Sequence, residues 1–446
     1  MNQPFYLVAG LGKTGHSIAG YLSRRNKPFV VFDTRQSVEG LAAFNTEFPG
    51  VDVFLGDLPG TIYQQLAGII TSPGVALDEP FLQEAFRRKI PVFGDIECLA
   101  REIDAPVIAI TGTNGKSTVT TLVGEMAKAA GLSVAVAGNI GLPVLDLLDN
   151  DQHYDLWVLE LSSFQLDLTY SLSPIAATIL NVSPDHLDRH HTLEAYITAK
   201  QRVYHQAQTV ISNRDDAQTI PQVATNRTMA TSFGLDKPAP GHWGIIEKDG
   251  THYLSDGNEC LLSTEELRIK GKHNWQNALA ACGLAAAAGI KPEYMIKVLK
   301  TFTGLPHRCQ WVRTLDEIDW INDSKGTNIG ATISAISGIG GAMQGKIVLI
   351  AGGQGKGADF NELRPSVAEH VRSVVLIGED ADKIEHALAD ITPVLRATSL
   401  EEAVTRARSQ ATSGDVVLLS PACASLDMFR DFNHRGDVFA NLVSKL

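Results

Sequence analysis

Val107-Ile108-Ala109-Ile110-Thr111-Gly112-Thr113-Asn114-Gly115-Lys116-Ser117-Thr118 passes from a continuous apolar run into glycines and then into Lys-Ser-Thr. A helical pattern follows, from Ser117 to about Ala130. This reads as a buried parallel strand feeding a phosphate-binding loop and a helix. Glycines let such a loop wrap and turn backbone N–H groups onto phosphate oxygens, and the helix N-terminus adds the positive end of a dipole. Lys116 suits the β- and γ-phosphates, and the Ser117 hydroxyl suits Mg²⁺. The longer phosphate-loop pattern wants glycine where Ile110 stands, so the residues alone leave a Gly-rich strand-to-helix turn open as an alternative.

The same alternation extends on both sides. Before it lie the short apolar runs Phe5–Ala9, Phe29–Phe32, Val51–Leu55, Ile69–Thr71 and Val92–Phe93. After it come Val134–Ala137, Leu156–Leu159 and Ala176–Leu180, then Ile347–Ala351, Val374–Ile377 and Val416–Leu419. Short apolar runs separated by helical segments make parallel sheets. Between His242 and Leu262 the pattern changes. Asp249-Gly250 and Asp256-Gly257 are turn signals between short β runs, which predicts an antiparallel insert. The expected fold is α/β in three domains, since 446 residues are too many for one core. Residues 1–95 form a Rossmann-like domain and 96–304 a central P-loop ATPase domain with a mainly parallel sheet and a small antiparallel insert. Residues 305–446 form a second Rossmann-like domain.

A net charge of −12 with no run of Lys and Arg argues against nucleic acid as a partner. The five cysteines are scattered with no CxxC pair, which removes zinc and redox readings and fits reduced thiols in a cytoplasm. No charged and apolar leader precedes Phe5, and no run of 18 apolar residues occurs. Neither a signal peptide nor membrane insertion is expected.

A second glycine set, Gly10-Leu11-Gly12-Lys13-Thr14-Gly15, follows the first strand, and Asp33 ends the next. By itself this reads as a dinucleotide site with Asp33 on a ribose. A nucleotide-sugar diphosphate presents the same phosphate and ribose, and a structural tight turn also fits. Glu160 ends the Leu156–Leu159 strand, where a metal ligand of a phosphate site belongs. His186 lies in the loop after Ala176–Leu180, so Glu160, His186 and Lys116 share one sheet edge. Lys200 falls in an amphipathic segment, Leu193–Tyr204, and spacing alone reads it as a solvated helix face.

Taken together, these segments resemble the Mur ligases. The resemblance runs from GLGKTG (10–15) to FRDFNHRG (429–436). The family's loop is the short form GTNGKST, which accounts for Ile110. TSPGV (71–75), AGNIG (137–141), LELSSFQL (159–166), DHLDRH (185–190), GLPHR (304–308), NDSKGTN (322–328) and LLSPACASLDMF (418–429) resemble its D-glutamate-adding branch. Gly326 stands where Ala is common, and Gln354 where an acid is common.

The resemblance implies a cytoplasmic bacterial enzyme, a monomer, that uses ATP and two Mg²⁺ ions. Its substrates would be UDP-N-acetylmuramoyl-L-alanine and D-glutamate, joined through an acyl phosphate. The first domain would bind the UDP moiety through Thr14, Asp33, Thr34, Arg35, Ser72, Pro73, Gly74 and Asn139. ATP would lie on Gly112, Thr113, Asn114, Gly115, Lys116, Ser117 and Thr118, with Asn274, Asn277, Arg308 and Asp323. Ser117 and Glu160 match ligands of one Mg²⁺, and His186 and a carbamylated Lys200 those of the second. Lys116, His186 and Lys200 are the implied catalytic set. Thr327, Lys356, Ser425 and Phe432 match the D-glutamate pocket. Groups drawn from three domains imply closure before chemistry.

Three rivals stand at this point. An oxidoreductase would rest on Gly10–Gly15. A folylpolyglutamate synthetase shares the short loop but should lack the first domain. A non-catalytic nucleotide-binding protein would not need Lys116, Ser117, Glu160 and His186 together.

Overall fold

The computed structural model describes residues 3–222, 229–341, 343–355 and 357–446, with the side chains of Leu187 and Asp188 outside the description. Two compact units emerge. One comprises Met1–Ile246, Ser255–Leu261 and Asn277–Ile296, the other Glu247–Leu254, Leu262–Gln276 and Lys297–Leu446.

The first unit holds two parallel sheets. Strands β1 (Phe5–Ala9), β2 (Phe29–Asp33), β3 (Val53–Leu55), β4 (Leu66–Thr71) and β5 (Val92–Phe93) assemble in the order β3-β2-β1-β4-β5. Every pairing is parallel. The order reverses between β1 and β4, and ligands bind parallel sheets beyond the strand ends at such a switch point. β3 is shorter than the run Val51–Leu55, because Val51 donates its N–H to Phe48 O in the preceding turn.

Strands β6 (Val107–Thr111), β7 (Val134–Gly138), β8 (Leu156–Glu160), β9 (Ala176–Ile179), β10 (Thr209–Asn213) and β11 (Met229–Phe233) form the second sheet, in the order β11-β10-β9-β6-β8-β7. It is parallel throughout. All five residues of β6 and of β8 are buried, as strands covered on both faces require. Register places Glu160 beside Ile110 and Ile179 beside Thr111, so the ends of β6, β8 and β9 surround one loop. Three consecutive strands, β12 (Gly244–Lys248), β13 (Thr251–Ser255) and β14 (Cys260–Ser263), make the small separate sheet expected around the two Asp-Gly turns. Connections this tight join antiparallel neighbours.

The second unit carries β15 (Gln310–Leu315), β16 (Ile318–Asn322), β17 (Ile347–Gly352), β18 (Val371–Ile377), β19 (Val394–Arg396) and β20 (Val416–Leu419), ordered β15-β16-β20-β17-β18-β19. Only the β15–β16 pair is antiparallel. Alternate residues face opposite cores. Ile347, Leu349, Ala351, Val416 and Leu418 pack on one side, and Val348, Ile350, Val417 and Leu419 on the other. Among the described residues, no helix is long and apolar enough to cross a membrane.

Candidate active site

β6 delivers Thr111 to the sheet edge, and the helix Lys116–Ala129 starts four residues beyond Gly112. Gly115 has φ +81°, and a Cβ there would lie 2.4 Å from Asn277 Oδ1. Only glycine fits, and Asn277 is thereby set against the loop. Asn181, just past β9, braces the other side. Its Oδ1 accepts from Asn114 N (2.8 Å), its Nδ2 donates to Asn114 O (3.1 Å), and its own carbonyl accepts from Thr113 N (2.9 Å).

Two cations meet in this loop. Lys116 Nζ donates to Gly112 O (2.8 Å) and Thr113 O (2.9 Å), and Lys200 Nζ donates to the same Gly112 O (2.9 Å). Lys200 is 1% exposed, with its ammonium 4.4 Å from the centre of the Tyr196 ring. The solvated-face reading of Lys200 is therefore overturned. The helix Leu193–Gln201 turns this residue inward, onto the phosphate loop. Burial, joined by the Lys116 charge, brings the Lys200 pKa down to about 7. A substantial share is then neutral amine near neutral pH, the form that adds CO₂.

Glu160 is 1% exposed. Its Oε1 accepts from Asn139 Nδ2 (2.9 Å), and its carbonyl accepts from Asn139 N (2.8 Å). Its Oε2 is buried with no hydrogen-bond partner. An uncompensated buried carboxylate costs several kcal/mol, so this oxygen calls for a cation. It stands beside the phosphate loop, whose first helical turn carries the buried Ser117. These donors fit Mg²⁺, which takes one or two protein oxygens and fills the remainder with water and phosphate. Among the described residues no cluster of three His, Cys, Asp or Glu that could hold a metal ion occurs.

His186 follows β9 with φ +52°, an uncommon conformation outside glycine. Its ring is half-exposed and lies 5.0 Å from that of Phe164. Three residues on, Arg189 stacks over Phe164 (4.4 Å) and donates to the carbonyls of Gly74 (3.1 Å), Val75 (3.0 Å) and Pro73 (3.4 Å). The 72–75 loop after β4 is thus strapped to the loop that presents His186.

The first glycine loop is built differently. A Cβ on Gly15 would fall 1.7 Å from Gly10 O, so the helix Lys13–Arg24, which carries Thr14, packs directly on the strand end. Asp33 Oδ2 accepts from Leu11 N (2.8 Å), and Arg35 donates to Oδ1 and Oδ2 (both 2.8 Å). The Arg35 guanidinium, aided by the Leu11 N–H, holds the buried Asp33 carboxyl down at about 2. Thr34 is exposed beside it, and Ser72 donates its N–H to Ala9 O (2.9 Å) next to Gly10.

Within the second unit, Asp323 is buried at the end of β16 and accepts from Ser420 Oγ (2.7 Å) and Cys309 N (3.1 Å). Burial raises its pKa to about 6. Arg308 adjoins it in sequence-distant space closely enough to oppose that rise. Asn274 donates to Lys270 O (2.8 Å). Thr327 donates its N–H to Lys325 O (2.8 Å), Ser425 is buried, and Phe432 opens the helix Phe432–Ser444. The expected pocket residue Lys356 lies outside the described residues.

The structure thus brings Lys116, Lys200 and Asn277 onto one loop, and Asn139 onto Glu160. Asn274, Arg308 and Asp323 belong to the second unit. Sequence reasoning did not single out Asn181, Tyr196, Arg189 or Ser420. For Asn181 and Ser420 the signal was position, since both sit just beyond strand ends, whereas Arg189 and Tyr196 lie on helices further along the chain.

Three family models match the chain. They are a Mur ligase MurD-like N-terminal domain over residues 5–94, a Mur ligase middle domain over 110–285 and a Mur ligase glutamate ligase domain over 307–423. A UDP-N-acetylmuramoylalanine–D-glutamate ligase of Legionella pneumophila is 68% identical over 447 residues, covering 100% of both chains. A protein of the same name from Hahella chejuensis is 50% identical over 98% of each. The solved UDP-N-acetylmuramate-alanine ligase of Thermotoga maritima superposes with a TM-score of 0.57 at 18% identity, over 99% of each chain, which speaks to fold alone.

Proposed function

The chain belongs to the Mur ligase family, and we propose that it joins D-glutamate to UDP-N-acetylmuramoyl-L-alanine in an ATP-driven step of peptidoglycan precursor synthesis. One observation carries the reading. Lys116 and Lys200 share the Gly112 carbonyl beside a buried carboxylate oxygen that lacks a donor, in a chain that matches ligases of this name end to end.

A carboxylate resists an amine because it is anionic and has no leaving group. The substrate carboxylate oxygen attacks the γ-phosphorus of ATP, the bond to ADP breaks, and an acyl phosphate results. The amine of D-glutamate attacks the acyl carbon, its nitrogen gives up a proton, and the acyl C–O bond breaks to release phosphate. Gly112 to Thr118 cradle the phosphates with backbone N–H groups, and Lys116 swings from the Gly112 and Thr113 carbonyls onto the β- and γ-oxygens. Ser117 and Glu160 would hold one Mg²⁺, and His186 and a carbamylated Lys200 would hold a second, and such ions would neutralise phosphate charge. Carbamylation turns Lys200 from a cation repelled by Lys116 into an anion attracted to it.

Residues 1–95 take the UDP moiety. Thr14, Thr34, Arg35, Ser72, Pro73 and Gly74 face it from the switch point of the first sheet, and Asp33 acts by fixing Leu11 and Arg35. Asn139 serves this substrate from the loop that also holds Glu160. Residues 96–304 take ATP, helped by Asn274, Asn277, Arg308 and Asp323. Residues 305–446 take D-glutamate through Thr327, Lys356, Ser425 and Phe432.

Phosphate release from ATP, measured with UDP-N-acetylmuramoyl-L-alanine and a panel of D- and L-amino acids, tests the proposal. D-Glutamate alone should support turnover. Equal turnover with L-alanine, or with no amino acid, would overturn it.

A further inference from the structure

We propose that Arg435 is the buried cation that knits the amino-acid pocket together and sets its demand for a doubly anionic amino acid. The inference rests on the pocket reading given above for Thr327, Ser425 and Phe432.

Arg435 lies in the first turn of the helix Phe432–Ser444 and is 1% exposed. Its Nε donates to Ser324 Oγ (3.0 Å), and one terminal nitrogen donates to Ser324 O (2.9 Å) and Cys423 O (3.1 Å). Ser324 in turn donates its hydroxyl to Phe432 O (2.8 Å). One guanidinium therefore joins three segments, namely the loop after β16, the loop after β20 and the helix start. Each segment carries one pocket residue, respectively Thr327, Ser425 and Phe432.

All three acceptors are neutral. Among the described residues no Asp or Glu lies within ion-pair distance of Arg435, although the partly buried Arg25 has such partners in Glu102 and Asp149. Fully buried arginine is almost always paired, because the desolvation cost is otherwise uncompensated. Burial lowers its pKa to about 10, so it remains a cation at neutral pH. Asp427 and Asp323 are carboxylates of the chain whose charges reach it through space, and neither stands within ion-pair distance. D-Glutamate with its amine neutral, as attack on an acyl phosphate requires, carries two carboxylates and no cation. A buried fixed charge favours such a molecule over one with a single carboxylate. Arg435 acts through Ser324, Cys423 and its field, and is a positioning residue.

Steady-state kinetics of full-length Arg435→Gln, Arg435→Lys and Ser425→Ala variants test this. Arg435→Gln should raise the KM for D-glutamate roughly 30- to 100-fold, with the KM for ATP and for the UDP-substrate within about 2-fold of normal. It should also narrow the preference for D-glutamate over D-glutamine. Arg435→Lys keeps the charge but loses the planar fork, and should raise the same KM only about 5- to 10-fold while keeping that preference. Parallel rises in all three KM values with a lowered melting temperature would reduce Arg435 to a scaffold residue and overturn the inference. If Arg435→Gln does not fold, an unchanged D-glutamate KM in Arg435→Lys overturns it equally. Ser425→Ala separates the two levels. An unchanged D-glutamate KM there removes the pocket reading itself. A raised KM there, with both Arg435 variants normal, removes only the inference about Arg435.

Discussion

The chain presents a glycine loop to a sheet edge after β1 and again after β6, and these two loops differ in what they leave unsatisfied. In the first, Gly10 to Gly15 pack tightly, and both oxygens of Asp33 are taken by Leu11 and Arg35. In the second, two lysines crowd one carbonyl and Glu160 keeps a buried oxygen without a donor. A loop whose charges are internally balanced can bind and hold. A loop with opposed cations and an open carboxylate is poised for metal and phosphate chemistry. The same strand–loop–helix geometry thus serves binding in one place and reaction in the other, and the flanking side chains decide which.

Substitutions at matched positions sharpen this contrast. The largest effect is expected at Lys116. Lys116→Ala should cut ADP formation by roughly a thousandfold or more, read as kcat under saturating substrates. Lys200→Ala comes next, with a loss of roughly a hundredfold or more, and acetate should restore part of it by supplying a carboxylate to the cavity. No restoration would leave carbamylation without support. Glu160→Gln keeps shape and the Asn139 bond but removes the charge. It should cost roughly a hundredfold and raise the Mg²⁺ concentration needed for half-maximal rate. The smallest effect belongs to the first loop. Asp33→Asn should raise the KM for the UDP-substrate about tenfold with kcat preserved.

Asp33 also makes a pH prediction. Its folded pKa of about 2 lies below its ordinary 3.8, so the carboxylate stabilises the fold at neutral pH. That contribution is lost as pH falls from about 4 toward 2. Acid unfolding of Asp33→Asn, followed by circular dichroism, should be shallower over that window than in the parent protein.

Periodicity was enough to read the central strands of the sheets, but not β10, β11 or β19. Runs such as Val107–Ile110 and Leu156–Leu159 are apolar throughout because both faces are covered, and Gly112 after the first marks the loop edge. The β15–β16 hairpin went unread, since Gln310–Leu315 mixes Arg313 and Thr314 with apolar residues and is half-exposed. The candidate site was legible where chemistry follows a strand directly, as at Lys116 and Glu160. Lys200 was not, because one lysine on a helix carries no mark of which way the helix turns. The double hold of Asn139 on Glu160 and the reach of Arg189 to the 72–75 loop were also hidden. Both join segments far apart in sequence, and only the folded chain brings them together.

The central claim is that the two loops bind different ligands independently. Calorimetric titration of UDP-N-acetylmuramoyl-L-alanine into Lys116→Ala, without ATP, tests it most directly. The account predicts a Kd within about 2-fold of the parent protein, in a variant that no longer forms ADP. Loss of UDP-substrate binding in step with loss of ADP formation would contradict it.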